Sequence, residues 1–314
     1  MTDKERSSVD GRAVLVLAYG GPEKKEDIGP FLDNVLQGRP LPPERRRELA
    51  GYYERLGGVS PVTVLTPHLA RELGETFRRE GTETAVYVAM RHGKPSIPEV
   101  VRRMAEAGVR RAVGVVLSVF RSEFSWDGYL AAVDEAVRAL GPAAPTVRYV
   151  EPWHEEALFI EAQADRIEEV KKDWPADRLA RARWIFTAHG IPCAADPSSG
   201  YSQQFARSAE LLARRLGVRD YVLAYQSRGG RPQDPWLGPD LQDVLNAPSD
   251  SKDVLVVPLG FLSDHMEVLY DLDVKAQRVA AAAGLRFARA KTVGTHPAFL
   301  RLLAGRIGQT WGKF

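Results

Sequence analysis

Short β-branched and aliphatic runs alternate with longer amphipathic stretches along almost the whole chain, and this alternation constrains the fold more than any other feature. Strand-like runs lie near residues 13–18, 84–90, 112–120, 147–150, 184–188, 221–226 and 254–261. Several, such as AVLVLA and DVLVVPLGF, are apolar almost throughout. A strand with one solvated face alternates polar and apolar residues, whereas one covered on both faces does not. These runs therefore predict parallel sheets between helical layers. Helical periods fill 67–79, 97–107, 126–140, 155–172, 203–216 and 264–283. Pro67 and Pro98 are placed in first helical turns, where a missing N–H is harmless.

The expected fold is α/β, with two Rossmann-like lobes, each a parallel β-sheet flanked by helices, and a cleft between them. Residues 1–145 are expected to form the N-terminal lobe and 146–295 the C-terminal lobe, joined through the Gly/Pro-rich 141–145. Residues 296–314 are expected to form a helix that packs back on the first lobe. Ligands of such folds favour clefts and the carboxyl ends of parallel strands.

Composition removes several classes. The 314 residues include 43 Lys and Arg against 41 Asp and Glu, a net charge of +2, and 44% are hydrophobic. Normal apolar content with small net charge excludes a disordered chain. Balanced charge gives no overall pull toward nucleic acid. Arg45, Arg46, Arg47, Arg102 and Arg103 read as solvated helix faces. One cysteine excludes a disulfide scaffold and any all-cysteine zinc or iron–sulfur site within a single chain, and it fits a reducing cytosol. Residues 1–10 lack the apolar core of a signal peptide, and no apolar run reaches the ~18 residues of a membrane span. A cytoplasmic protein is expected. With no coiled-coil heptad or obvious exposed apolar patch, it is expected to be a monomer.

Three strand ends could carry chemistry. The first runs into Ala18-Tyr19-Gly20-Gly21-Pro22, where glycines let backbone approach a ligand. No GxGxxG or GxxxxGK[ST] pattern occurs. The fifth ends in Thr187-Ala188-His189-Gly190, placing an imidazole suited to proton or metal binding where α/β folds bind ligands. The seventh leads into Ser263-Asp264-His265-Met266-Glu267, with Asp271 four residues on. Two carboxylates at that spacing share a helix face and can pass a divalent cation along it. The same acids equally suit an Asp264–Glu267 capping box and the helix dipole. Cys193 reads as a small buried or lining residue rather than a nucleophile. The absence of a Gly-x-Ser-x-Gly elbow disfavours a serine hydrolase.

Taken in order, AYGGP, LGGVSPV at 56–62, FTAHGIP at 186–192, YQSRGG with PWLGPDL, and GFLSDHMEVLYDLD resemble the ferrochelatase family over nearly the whole chain. The resemblance implies a chelatase-like fold and insertion of ferrous iron into a porphyrin in heme biosynthesis. It assigns catalysis to His189 and Glu267, and metal handling to His189, Glu267 and Asp271. Tyr19, Ser60, Arg91, His92, Ser125 and Tyr129 fall at porphyrin-binding positions. Fe²⁺ is implied as substrate, with no organic cofactor, and one cysteine cannot hold the four-cysteine iron–sulfur cluster of some relatives. Lys275 stands where some relatives continue the acidic series. Leu36 and Gln37 replace basic residues, which shifts propionate anchoring toward Arg39, Arg91 or Arg228.

Tyr19 and the lack of a membrane-binding extension resemble the enzymes that use coproporphyrin III. Protoporphyrin IX is the alternative substrate. A chelatase for another tetrapyrrole and a non-catalytic porphyrin or heme carrier are the other readings. Transient iron-donor or heme-acceptor proteins are the implied partners.

Overall fold

β1 (Arg12–Ala18) is apolar from its second residue because both its faces are covered, and Ala13 to Leu17 are wholly buried. The structure is a computed structural model and describes residues 11–314 except 37, 39, 56 and 230–233. The chain divides into two compact units. One takes in the chain to Leu117 with Trp126–Glu151 and Leu300–Phe314. The other takes in Ser118–Ser125 and Pro152–Phe299.

The first unit pairs β1 with β2 (Ala85–Met90) on one side and β3 (Arg111–Val116) on the other, with β4 (Thr146–Tyr149) at the far edge. All three pairings are parallel. The second unit repeats this order. β5 (Arg183–His189) lies between β6 (Tyr221–Gln226) and β7 (Asp253–Val257), with β8 (Arg286–Arg289) beyond β7. These pairings are parallel too. In both sheets the chain steps from the first strand to one neighbour and then returns to the other side. The carboxyl ends of β1 and β3, and of β5 and β7, are thus topological switch points, where open α/β sheets bind ligands.

Two sequence expectations change here. Residues 141–145 do not separate the sheets. They end the helix Gly128–Leu140 and lead into β4, which pairs with β3 of the first sheet. β4 thus belongs to the first sheet, not to the second lobe expected from residue 146 onward. The fourth strand of the second sheet is β8, whose half-buried RFAR carries no apolar run. Pro67 also lies inside its helix. That helix spans Val62–Arg79, because burial of Val62, Thr66, Leu69, Leu73 and Phe77 on one stripe outweighs one lost backbone hydrogen bond. Pro98 does occupy a first turn, in the helix Ile97–Glu106.

In the second unit Ile185, Ala224, Val254 and Val256 from one sheet face pack in one cluster with Leu241, Val244, Val268 and Leu272. Each such aliphatic side chain contributes roughly 1.5–3 kcal/mol when fully buried. In the first unit Arg12 lies over the Trp311 ring and Arg148 over Phe314. Among the described residues, no helix is long and apolar enough to cross a membrane.

Local capping makes one expected result. Ser96 caps the helix Ile97–Glu106, accepting from the Glu99 N–H, while Glu99 accepts in return from the Ser96 N–H. Ser96→Ala should lower unfolding free energy by about 1 kcal/mol in a denaturant titration.

A second result concerns pH. Burial holds His154 below the ordinary imidazole range, against the pull of Glu155. Burial, with help from Arg166, does the same to His296. A depressed imidazole binds its proton more weakly folded than unfolded. Stability is therefore full above the unfolded value, about 6.5, and is lost as pH falls through the folded value. Urea midpoints should hold between pH 8 and 7 and drop below pH 6.5. Replacing both residues by Gln should make that slope shallower.

Candidate active site

β5 delivers His189 to its carboxyl end, and three hydrogen bonds set the ring and its backbone. The Tyr201 hydroxyl donates to the His189 carbonyl at 2.9 Å. The Gly190 N–H donates to the Gln226 carbonyl at 2.7 Å. The His189 Nδ1 faces the Gly190 carbonyl at 2.5 Å. A carbonyl only accepts, so Nδ1 carries a proton, and in the neutral imidazole Nε2 presents its lone pair. An added Cβ at 190 would crowd the Gln226 carbonyl at 3.3 Å and the Trp236 ring at 3.4 Å.

Glu267 reaches the same place from the other switch-point strand. After β7 the chain turns through Leu259 and Gly260, and the Gly260 N–H bonds to the Thr187 carbonyl at 2.9 Å. His265 then caps a single turn, Met266–Val268, by accepting from the Glu267 N–H at 3.2 Å. The capping box expected from Asp264 is not formed, because Asp264 instead accepts from Arg289 at 2.9 Å. His265 is half-buried, and loss of hydration holds its imidazole below the ordinary range.

His189 Nε2 and Glu267 Oε1 are 3.8 Å apart, with side chains 36% and 45% exposed. That is too long for a hydrogen bond. Two bonds of about 2.1 Å to one small divalent cation span up to about 4.2 Å. The pair therefore fits two ligands meeting a metal at a wide angle, with access from solvent.

Asp271 lies in a different setting. From Leu269 to Ala276 the helix is π-type, the wider winding often found at functional sites. The Asp271 side chain is 12% exposed, and Lys275 is 3.6 Å away. The Ser227 hydroxyl donates to its other oxygen. Burial raises the Asp271 carboxyl above its ordinary range, against the opposing pull of Ser227 and Lys275. No group of three or more His, Cys, Asp and Glu side chains placed to hold a metal occurs among the described residues. Asp271 follows Glu267 on the same helical segment, with its carboxylate held by Ser227 and Lys275.

In the first unit Tyr19 follows β1 and is 41% exposed. Its ring lies 4.8 Å from that of His92. His92 is only 6% exposed, and its Nδ1 is 2.8 Å from Asn34 Oδ1. The Gly20-Gly21 turn is closely packed. A Cβ on Gly20, at φ 92°, would meet the Gly93 N at 2.8 Å, and one on Gly21 would meet the Ser60 side chain at 2.3 Å. Ser60 is buried beneath this turn, with its N–H bonded to the Pro22 carbonyl. Arg91 places its guanidinium 5.5 Å from the centre of the buried Tyr129 ring. Gly128 makes that possible, because a Cβ there would meet the guanidinium at 2.3 Å.

In the second unit the Ser125 hydroxyl bonds to the Phe120 carbonyl at 3.0 Å and to Ser122. Arg228 donates to the Asp234 carbonyl in its own loop. Gln37, Arg39, Leu56 and the segment 230–233 lie outside the described residues. Cys193 is exposed rather than buried, at a turn after Pro192.

Two supporting residues were not singled out by sequence. Ser227 has φ 59°, unusual for a non-glycine residue, and a polar residue just past β6 was its only signal. Tyr201 is buried at the start of the helix Tyr201–Leu216 and had none.

A family model described as Ferrochelatase matches residues 11–310. A protein of Nocardia farcinica named coproporphyrin III ferrochelatase is 40% identical over 93% of this chain and 86% of its own length. A ferrochelatase of Rhodopirellula baltica is 35% identical over 95% of this chain and 86% of its own. Among solved structures, the sirohydrochlorin chelatase SirB of Bacillus subtilis subspecies spizizenii superposes with a TM-score of 0.58. It is 13% identical, and the match covers 95% of this chain and 94% of that one. At that identity the likeness concerns the fold, a chelatase-like pair of parallel sheets. The family match and the long relatives carry the rest: the chain belongs to the ferrochelatase family.

Proposed function

We propose that the porphyrin this ferrochelatase metallates is coproporphyrin III, and that His189 and Glu267 are its metallation pair. The 3.8 Å separation of Nε2 and Oε1 carries the second part. Ferrochelatases insert ferrous iron into a porphyrin, a step of heme biosynthesis. The ring must lose two pyrrole protons, and Fe²⁺ must shed water and enter from one face. A flat macrocycle hides its nitrogen lone pairs, so a site that favours a puckered ring stabilises the transition state. His189 offers a neutral nitrogen lone pair, and Glu267 offers a carboxylate oxygen. Either accepts a proton or holds the ion briefly. Asp271, held by Ser227 and Lys275, is the next acidic group along the same helix.

In the first unit Tyr19 offers an exposed aromatic ring, packed against the buried His92. Arg91, fixed over Tyr129, supplies a guanidinium for a propionate. Ser60 and Ser125 shape the two turns that bear on the ligand. Support for coproporphyrin III comes from the relatives that carry its name at 38–40% identity. A tetracarboxylate also gains more from fixed guanidinium groups than a dicarboxylate does.

The test is parallel turnover of coproporphyrin III and protoporphyrin IX with Fe²⁺ under anaerobic conditions, followed by absorbance. One extra charge-assisted contact of ~1.5 kcal/mol predicts a preference of about tenfold in kcat/KM for coproporphyrin III. A preference for protoporphyrin IX would reverse the assignment.

A further inference from the structure

Two buried polar side chains on one face of the second sheet have no hydrogen-bond partner among the described residues. They are the Thr187 hydroxyl and both ends of the Gln226 amide. Thr187 is 0% exposed and Gln226 3%. Strand register brings them together. Across β5 and β6, Thr187 pairs with Ala224 and His189 with Gln226. Neighbours in register point to the same side of a sheet, as do residues two apart. Thr187, His189 and Gln226 therefore share a face, with Thr187 and Gln226 about 8 Å apart at Cα by strand geometry. The same face carries Ile185 and Ala224, which cluster with Val268 and Leu272 from the segment bearing Glu267 and Asp271.

We infer that Thr187 and Gln226 bind an internal water on this face, and that with it they act as positioning residues for His189. A buried water makes about three hydrogen bonds to groups that otherwise lack partners. An amide with one donor end and one acceptor end, beside a hydroxyl, supplies that set. Both groups are neutral, and the amide N–H₂ would repel a cation, so water suits the place better than a metal ion. The link to His189 runs through the backbone. The Gln226 carbonyl accepts from Gly190, and the Gly190 carbonyl accepts from His189 Nδ1. A shift of Gln226 is thereby passed to the imidazole in two steps.

The inference rests on His189 being half of the metallation pair. The test combines a high-resolution crystal structure of the unaltered protein with kinetics of Thr187→Val, Gln226→Leu and Thr187→Ser. Expected are an ordered water bonded to Thr187 Oγ1 and the Gln226 amide, and a kcat about tenfold lower in the Val and Leu variants. The porphyrin KM should stay within twofold, and Thr187→Ser should keep wild-type kcat. A purely structural role would lower melting temperature without separating kcat from KM well below the melt. No ordered water in the crystal, or wild-type kcat in Thr187→Val, overturns the inference. His189→Ala, assayed alongside, separates the two claims, because wild-type insertion there removes the metallation pair and leaves the water site standing.

Discussion

Glu267→Gln and His189→Ala should each slow iron insertion by about 10²–10⁴-fold, the usual worth of one placed proton-transfer group. That corresponds to roughly 2.7–5.5 kcal/mol of transition-state stabilisation. Glutamine keeps the shape of Glu267 but removes its charge and basicity. Alanine removes the Nε2 lone pair that the Nδ1–Gly190 hydrogen bond turns toward Glu267. Neither change touches Tyr19 or Arg91, which are proposed to bind the porphyrin, so affinity by fluorescence quenching should stay within a few fold. Groups that act as a unit are not additive, so the double variant should lose little beyond the worse single one. Single-turnover anaerobic insertion measures all three. Wild-type rates in His189→Ala would mean that the proton and metal steps happen elsewhere on the protein.

The sequence shows both sheets because burial on two faces leaves runs such as AVLVLA that resemble nothing else. It marks His189 and Glu267 as candidates for a related reason, and the family resemblance pairs them. A histidine that ends a buried parallel strand and a carboxylate just past another lie where strand order reverses. β8 escaped because RFAR, at the edge of its sheet, needs no apolar run. The boundary between the sheets was misplaced because glycine and proline mark a turn without marking where the next strand pairs. The Asp264 cap failed through a long-range partner, Arg289, that local spacing cannot reveal. Glu267 and Asp271 do lie on one helical segment, as their spacing implied. A π-type stretch and Ser227 give Asp271 a buried setting of its own. Tertiary partners, not spacing, decide which acidic group stays open.

Gly260→Val should produce the other large effect, by moving Glu267 rather than altering it. Gly260 is the joint between β7 and the turn that carries Glu267, and its N–H is tied to the Thr187 carbonyl two residues before His189. A Cβ at 260 would lie 2.8 Å from the Ala188 Cβ, 2.9 Å from its Cα and 3.2 Å from the Phe120 ring. Ala188 and Phe120 are both buried, and a backbone Cα cannot swing aside as a side-chain end can. The joint must therefore lift off β5. Overpacking of this kind costs about 1–3 kcal/mol, which a denaturant titration reads directly. A displacement of about 1 Å costs up to 10²-fold in rate even when no reacting group is changed. The expected outcome is a folded, less stable protein whose kcat for iron insertion drops far more than its porphyrin affinity. Gly260→Ala should fall between it and the wild type. If Gly260→Val keeps full activity, the joint tolerates a side chain, and the 3.8 Å separation does not depend on its close packing.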